Sequence, residues 1–332
     1  MGLSDFAKVM NEPVCKLIDA LRNGAGILYE PTHLKRMADA EAYRIEKIGD
    51  VVRNNSDLPI VYQGRTNELG IDIKDAQSLV ERTRTRMIFQ ELRKQQNLDS
   101  IVSKTYALLE NQSICSEKPI NNDFMVRFVE AAQNISDIEL QTLWAKILAG
   151  EIIMPDSCSL RTIEVLKNMS KTEFDMFLKI CPFISDGYLI NNSAVLGQFD
   201  INYEMLLILD ECNLINTSGA FKSISESEND SLTKKTKVFN TKHYILFGKS
   251  KDKNKFVIQV PVYKLTKSGS ILSSFAECED EIDFVLAISK TLEKQYKNIN
   301  FNLYKIIKEE KSVISYEDDI DYLHKLNKNK EI

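Results

Sequence analysis

Along the first half of the chain, apolar residues recur every three or four positions, the spacing of helices with one covered face. In VCKLIDALRNGAGILYEP (14–31), Val14, Leu17, Ile18, Leu21, Ala25 and Leu28 share such a face, and Lys16, Asp19 and Arg22 lie largely away from it. Gly24 and Gly26 weaken this helix near its end and Pro31 opens another, which runs through 32–54. NNSDLPIVYQGRTNELG (54–70) sets Pro59, Gly64 and Gly70 among polar residues and reads as a loop. A long helical region follows over 72–111, with Leu79, Val80, Met87, Ile88, Leu92, Leu98, Ile101 and Val102 at helical spacing.

The local signals are sharpest over 136–180. Ser136-Asp-Ile-Glu139 has the form of a capping box, and the helix it starts is expected to stop at Gly150, the residue that best tolerates a left-handed closing turn. Leu140, Leu143, Trp144, Ile147 and Leu148 form the apolar face of that helix and are assigned to the structural core; Trp144 is the only tryptophan. A Pro-Asp-Ser turn leads to a short helix, 159–169, capped by Ser157 or Ser159. Ser170-Lys-Thr-Glu173 then repeats the capping box.

The last third changes character. A short extended piece and a helix occupy 187–216, and KHYILFG (242–248) and KFVIQVPVYKL (255–265) read as a strand pair joined by a lysine-rich turn. A helix starts at Thr266-Lys-Ser, FVLAISKTL (284–292) looks strand-like, and a charged tail closes the chain. Helix, helix, helix, strand, strand, helix is the order of a winged helix. The expected fold is therefore mainly α: long amphipathic helices (1–112), a compact helical core (113–182), a winged-helix-like α+β module (183–278), and a C-terminal helix or strand with a charged tail (279–332).

Composition narrows the chemistry. With 332 residues, 43% hydrophobic and 27% charged, the chain can bury more than one core. Its net charge of −5 gives no global pull toward nucleic acid or anionic lipid. The six cysteines include no Cys-x-x-Cys pair and read as reduced thiols of a cytoplasmic protein. No phosphate-cradling glycine loop, serine elbow or metal-ligand spacing is present, so no catalytic, cofactor or metal site is inferred. His33, His243 and His324 are isolated, and Glu164 and Lys167, three apart on a helix, fail the geometry of a nuclease metal site.

Two basic clusters remain. Arg82, Arg84 and Arg86 lie on the long helix, and Lys249, Lys251 and Lys253 lie in and around the lysine-rich turn; these are the candidate nucleic-acid contacts. The helix in the place of a recognition helix, 202–215, has no Lys or Arg and carries Glu204, Asp210 and Glu211, so sequence reading of DNA is disfavoured.

Three pieces, GILYEPTHLKRMADAEA (26–42), LQTLWAKILAGEI (140–152) and SLRTIEVLKNMSKTE (159–173), resemble the bacterial domain-of-unknown-function 2806 family. The Leu-x-x-Leu-Trp-Ala core is also distantly similar to the abortive-infection alpha proteins of bacteria. The resemblance implies a prokaryotic or mobile-element protein engaged in phage defence, and implies no reaction. The expected function is a non-enzymatic interaction protein with a protein partner or self-association. The alternatives are a nucleic-acid-associated protein, and a membrane-acting effector that inserts its N-terminal amphipathic helix.

Overall fold

The computed structural model describes residues 11–316, less 28, 30, 40, 55–59, 64–67, 72–77, 226–234, 253–254, 277–281 and 311–312. Lys253, Cys278, His324 and the charged tail beyond 316 lie outside the described residues. The chain divides into two units, Met1–Asn168 and Met169–Ile332.

In the first unit the amphipathic spacing becomes helices α1 (Glu12–Ala25), α2 (Pro31–Asp39), α3 (Glu41–Asn54), α4 (Leu79–Leu109), α5 (Asn122–Ala132), α6 (Ile138–Ile153) and α7 (Leu160–Asn168). α4 packs against α2 and α6, α1 against α5, and α5 against α7. α1 buries Val14, Leu17 and Leu21, and it approaches α5 at Gly24, where an added Cβ would collide with Met125 Cβ. Asn11 joins two helix ends. Its Oδ1 accepts from the Val14 amide at 3.2 Å and starts α1, while its Nδ2 donates to the carbonyls of Leu109, Glu110 and Gln112 at 2.6, 2.8 and 2.8 Å. The Leu109 carbonyl, at the end of α4, and two carbonyls just beyond it are satisfied in this way.

Leu140, Leu143, Trp144, Ile147 and Leu148 are all buried, and the Phe128 ring meets Trp144 edge-on at 5.1 Å. Two details of α6 differ from expectation. The N-cap is Asp137, whose Oδ1 accepts from the amides of Glu139 and Leu140 at 3.0 and 2.9 Å, and not Ser136. Aspartate caps as well as serine, so the adjacent pair left two possible starts. The helix also runs through Gly150 to Ile153. Its end is set by Glu151, whose buried carboxylate accepts from the Asp156 amide (2.7 Å), the Ser157 hydroxyl (3.0 Å) and the Cys158 amide (3.0 Å). The left-handed residue is Asp156 (φ 67°), in the bend itself. Ser159 caps α7, accepting from the Thr162 amide.

The stretch 54–70 is not simply a loop. It contains β1 (Ile60–Gln63), which pairs antiparallel with β2 (Glu68–Ile71). Pro59 and Gly64 bracket a β-branched and aromatic run; they punctuate a strand where a structureless segment was expected.

The mainly α expectation fails in the second unit. There α8 (Lys171–Ile180), capped by the Ser170–Glu173 box, is followed by β3 (Ile184–Ser185), β4 (Tyr188–Ile190), α9 (Ser193–Leu196) and α10 (Tyr203–Glu211). Next come β5 (Ile215–Ser225), β6 (Thr236–Asn240), β7 (Tyr244–Ser250), β8 (Val257–Leu265), α11 (Lys267–Phe275), α12 (Ile282–Gln295), β9 (Ile299–Glu310) and β10 (Val313–Tyr316). They form two four-stranded antiparallel sheets, ordered β3-β4-β8-β5 and β10-β9-β7-β6. The protein is thus mixed α/β, with a helical N-terminal half and, among the described residues, three antiparallel sheets.

The expected strand pair 242–248 and 255–265 does not form: β7 pairs with β6 and β9, while β8 pairs with β4 and β5. Consecutive strands joined by a short connection usually pair, but here each finds its partner in a different sheet. FVLAISKTL is α12, not a strand. Its buried residues Phe284, Val285, Ile288, Ser289 and Leu292 follow the helical period, which a short apolar run leaves ambiguous. Phe284 sits at the centre of the unit, with ring centroids 4.4 Å from Phe183, 5.6 Å from Phe199 and 6.0 Å from Phe239. Asp186, in the β3–β4 turn, ties the sheets together. Its carboxylate accepts from Lys222 of β5 at 2.9 Å and Lys237 of β6 at 3.0 Å.

Candidate functional site

Helix α4 has 31 residues, and its two halves meet different surroundings. It starts firmly: Ser78 Oγ accepts from the Glu81 amide, and the Glu81 carboxylate accepts from the Ser78 amide at 2.9 Å. In the C-terminal half, Asn97, Ile101 and Thr105 form a stripe turned toward α6. The Gln141 amide reaches Asn97 Oδ1 at 3.4 Å, and the Thr105 hydroxyl lies 3.4 Å from the Ala145 carbonyl. Leu98, Ile101, Val102 and Leu109 are buried there.

Followed toward the N-terminus at spacings of three, four and seven, the same stripe passes through Gln90, Met87, Thr83 and Leu79. Among the described residues no element of the unit packs over Leu79, Met87 or Gln90, and Thr83 is half-buried. Leu79 is 71% exposed, its neighbour Val80 76% and Met87 58%. One continuous helix face is therefore core at one end and bare at the other. On the reverse side Thr85 is buried and Ile88, Phe89 and Leu92 are half-buried, so this half of α4 is held on one side and open on the other.

The arginines flank the bare stripe. Arg82, Arg86 and Arg93, spaced four and seven apart, lie along one line of the helix and are exposed. None of the three enters an ion pair or side-chain hydrogen bond among the described residues. Arg84 lies on the opposite flank. Arg93 belongs to the same basic run of the sequence, 82–94, and the helical period returns it to the line of Arg82 and Arg86 after two further turns.

The lysine cluster is dispersed by the fold. Lys249 is exposed on β7, and Lys251 just beyond it donates to the Lys297 carbonyl at 2.7 Å. Lys237 is held by Asp186, Lys242 donates to the Ala276 carbonyl, and Lys235 donates to the Tyr304 hydroxyl at 3.1 Å with its ammonium 4.6 Å from that ring. Because the two strands belong to different sheets, these lysines are not presented on one hairpin. Lys249 and Lys251 belong to the second unit and Arg82, Arg84 and Arg86 to the first.

Other polar groups serve the fold. The Cys212 thiol is pushed up to about 11 by burial and by its hydrogen bond to the Glu173 carboxylate, so it stays protonated at neutral pH and is a poor nucleophile. Tyr29 is raised well above the usual tyrosine range by burial and by the charge of Asp99, to which its hydroxyl donates at 2.6 Å. His33 Nδ1 lies 3.0 Å from the Tyr43 hydroxyl. Among the described residues no group of three or more His, Cys, Asp or Glu is placed to hold a metal ion. No helix among them is long and apolar enough to cross a membrane.

Residues 81–194 match the family model "Protein of unknown function (DUF2806)", about a third of the chain. The match begins in the bare half of α4 and extends to α9. It includes two of the three pieces that resemble the family; the third, 26–42, lies outside it. No similarity to the abortive-infection alpha proteins emerges from the comparisons. No curated protein and no solved structure matches the chain.

Proposed function

We propose that this is a non-enzymatic interaction protein whose docking surface is the N-terminal half of α4. The observation that supports this reading is the continuity of the helix face. Burying the stripe of Leu79 and Met87 on a partner, with Val80 beside it, extends the packing that α6 provides further along the same helix. The apolar side chains supply the gain on burial, and the unpaired arginines beside them select a partner with an acidic rim. A membrane role for the N-terminal helix is disfavoured, because the apolar face of α1 is already committed to the core. A place in phage defence rests on the family resemblance alone.

A photo-crosslinking amino acid at position 87, used in cells under phage challenge, tests the reading. A defined protein adduct that Leu79→Glu together with Met87→Glu abolishes, with an unchanged urea midpoint, supports it. An adduct with a second copy identifies self-association. Absence of any adduct sinks the proposal.

One observation favours a second reading. Exposed, unpaired arginines one turn apart, about 6 Å along the axis, can follow successive phosphates of a nucleic acid. Arg82→Glu with Arg86→Glu and Arg93→Glu should then abolish binding to random duplexes at low salt, and binding by the native protein should fall steeply as salt is raised. No binding of the native protein at low salt eliminates this reading.

A further inference from the structure

The second unit contains a pocket of about 490 Å³ between α9, the turn that follows it, α10 and β8. Its volume lies within the range of small-molecule sites. Leu196, Ile201 and Leu206 contribute apolar surface, and the half-exposed Tyr203 ring stands beside them.

Tyr263 of β8 is the informative residue. Only 7% of it is exposed, yet its hydroxyl makes no hydrogen bond with any described residue. A sealed, unpaired hydroxyl would be costly, and this one is not among the sealed unpaired atoms of the core. The open space that Tyr263 borders is the pocket. Burial raises the phenol above its ordinary range, as does the neighbouring Tyr203, so the hydroxyl stays protonated and able to donate.

The rest of the lining defines what would fit. The side chains of Asn191 and Ser193 each offer both donors and acceptors and are unpaired within the described structure. Among the described residues no lysine or arginine lines the pocket, which disfavours phosphate or carboxylate. The one carboxylate, Asp200, is met by Lys179 at 3.8 Å and points largely to solvent, so it does not single out a cation. Apolar walls, an exposed aromatic ring, and neutral groups that both donate and accept together suit a flat uncharged ring with a mixed polar edge.

We propose that this pocket binds a nucleoside, with the base against Leu196, Leu206 and Tyr203 and its polar edge bonded to the Tyr263 hydroxyl and the Asn191 amide. This site is separate from the α4 surface and does not depend on it.

Isothermal titration of the full chain with adenosine, guanosine, cytidine and uridine tests the proposal. At least one should bind saturably with a Kd of about 5 mM or tighter. Tyr263→Phe removes a hydroxyl that bonds no described residue of the protein, so its urea midpoint should match the native one while affinity drops about tenfold. Tyr203→Ala should weaken binding independently through lost stacking. No saturable heat with any of the four, or equal affinity in Tyr263→Phe, overturns the assignment. So does preferential binding of argininamide, which would make the pocket a cation site.

Discussion

Glu151→Ala is the sharpest test of how the first unit is held. The carboxylate is 1% exposed and takes three donors from the bend after α6. Removing it strands the buried Cys158 amide, at about 1–3 kcal/mol, while the Asp156 amide and Ser157 hydroxyl, closer to water, lose about 0.5–1.5 kcal/mol each. Loss of the one buried methylene, Cγ, adds about 0.8 kcal/mol. Relief of the desolvated charge offsets part of this, leaving a net loss of about 3–5 kcal/mol. Trp144, fully buried two turns earlier on the same helix and the only tryptophan, gives the readout. With a urea slope of about 2 kcal/mol per molar, the fluorescence midpoint should fall by about 2 M. Glu151→Gln, which keeps the volume and one acceptor oxygen, should fall between. A Glu151→Ala midpoint within about 0.5 M of native would refute the idea that this carboxylate organises the bend.

Asn11→Ala should cost about 1–2 kcal/mol in the same assay, since it removes the cap of α1 and the donor to the end of α4. Asn11→Asp retains the N-cap acceptor but sets a carboxylate against three carbonyls; if it proves as stable as native, the bridging role is wrong. The Asp186 carboxyl is raised by burial, but its hydrogen bonds to Lys222 and Lys237 and their charges outweigh this and hold it below the ordinary aspartate range. A folded pKa below the unfolded one contributes stability above the ordinary aspartate range, and that contribution is lost as pH falls through the folded value. Melting of the sheets, followed by circular dichroism below about pH 5, should therefore be less acid-sensitive in Asp186→Asn. An unchanged acid limb would show that the clamp contributes nothing.

Much of the first unit, and the first helix of the second, was legible because the signals are local. The cap at Ser159, the end of α1 near Gly24–Gly26, the face around Trp144 and the Ser170–Glu173 box depend on neighbours within a turn or two of helix. The misreadings share a different cause. Asp137 and Ser136 are both good caps, and only the packing of α6 chose between them. Gly150 could have ended the helix, but Glu151 reached forward to satisfy the bend and moved the end to Ile153.

The chain by itself determined the main amphipathic helices of the first unit, where most of them begin, and that a basic run lies on the longest one. Tertiary structure decided three other things. It placed β7 and β8 in different sheets, because strand pairing is settled by contacts distant in sequence; this removed the lysine hairpin. It folded FVLAISKTL as α12, because a nine-residue apolar run fits either period until Phe284 finds its aromatic neighbours. It also left half of one helix face uncovered. The spacing of Leu79, Met87, Ile101 and Thr105 shows a single stripe, but exposure depends on where α6 lies, which no residue of α4 specifies.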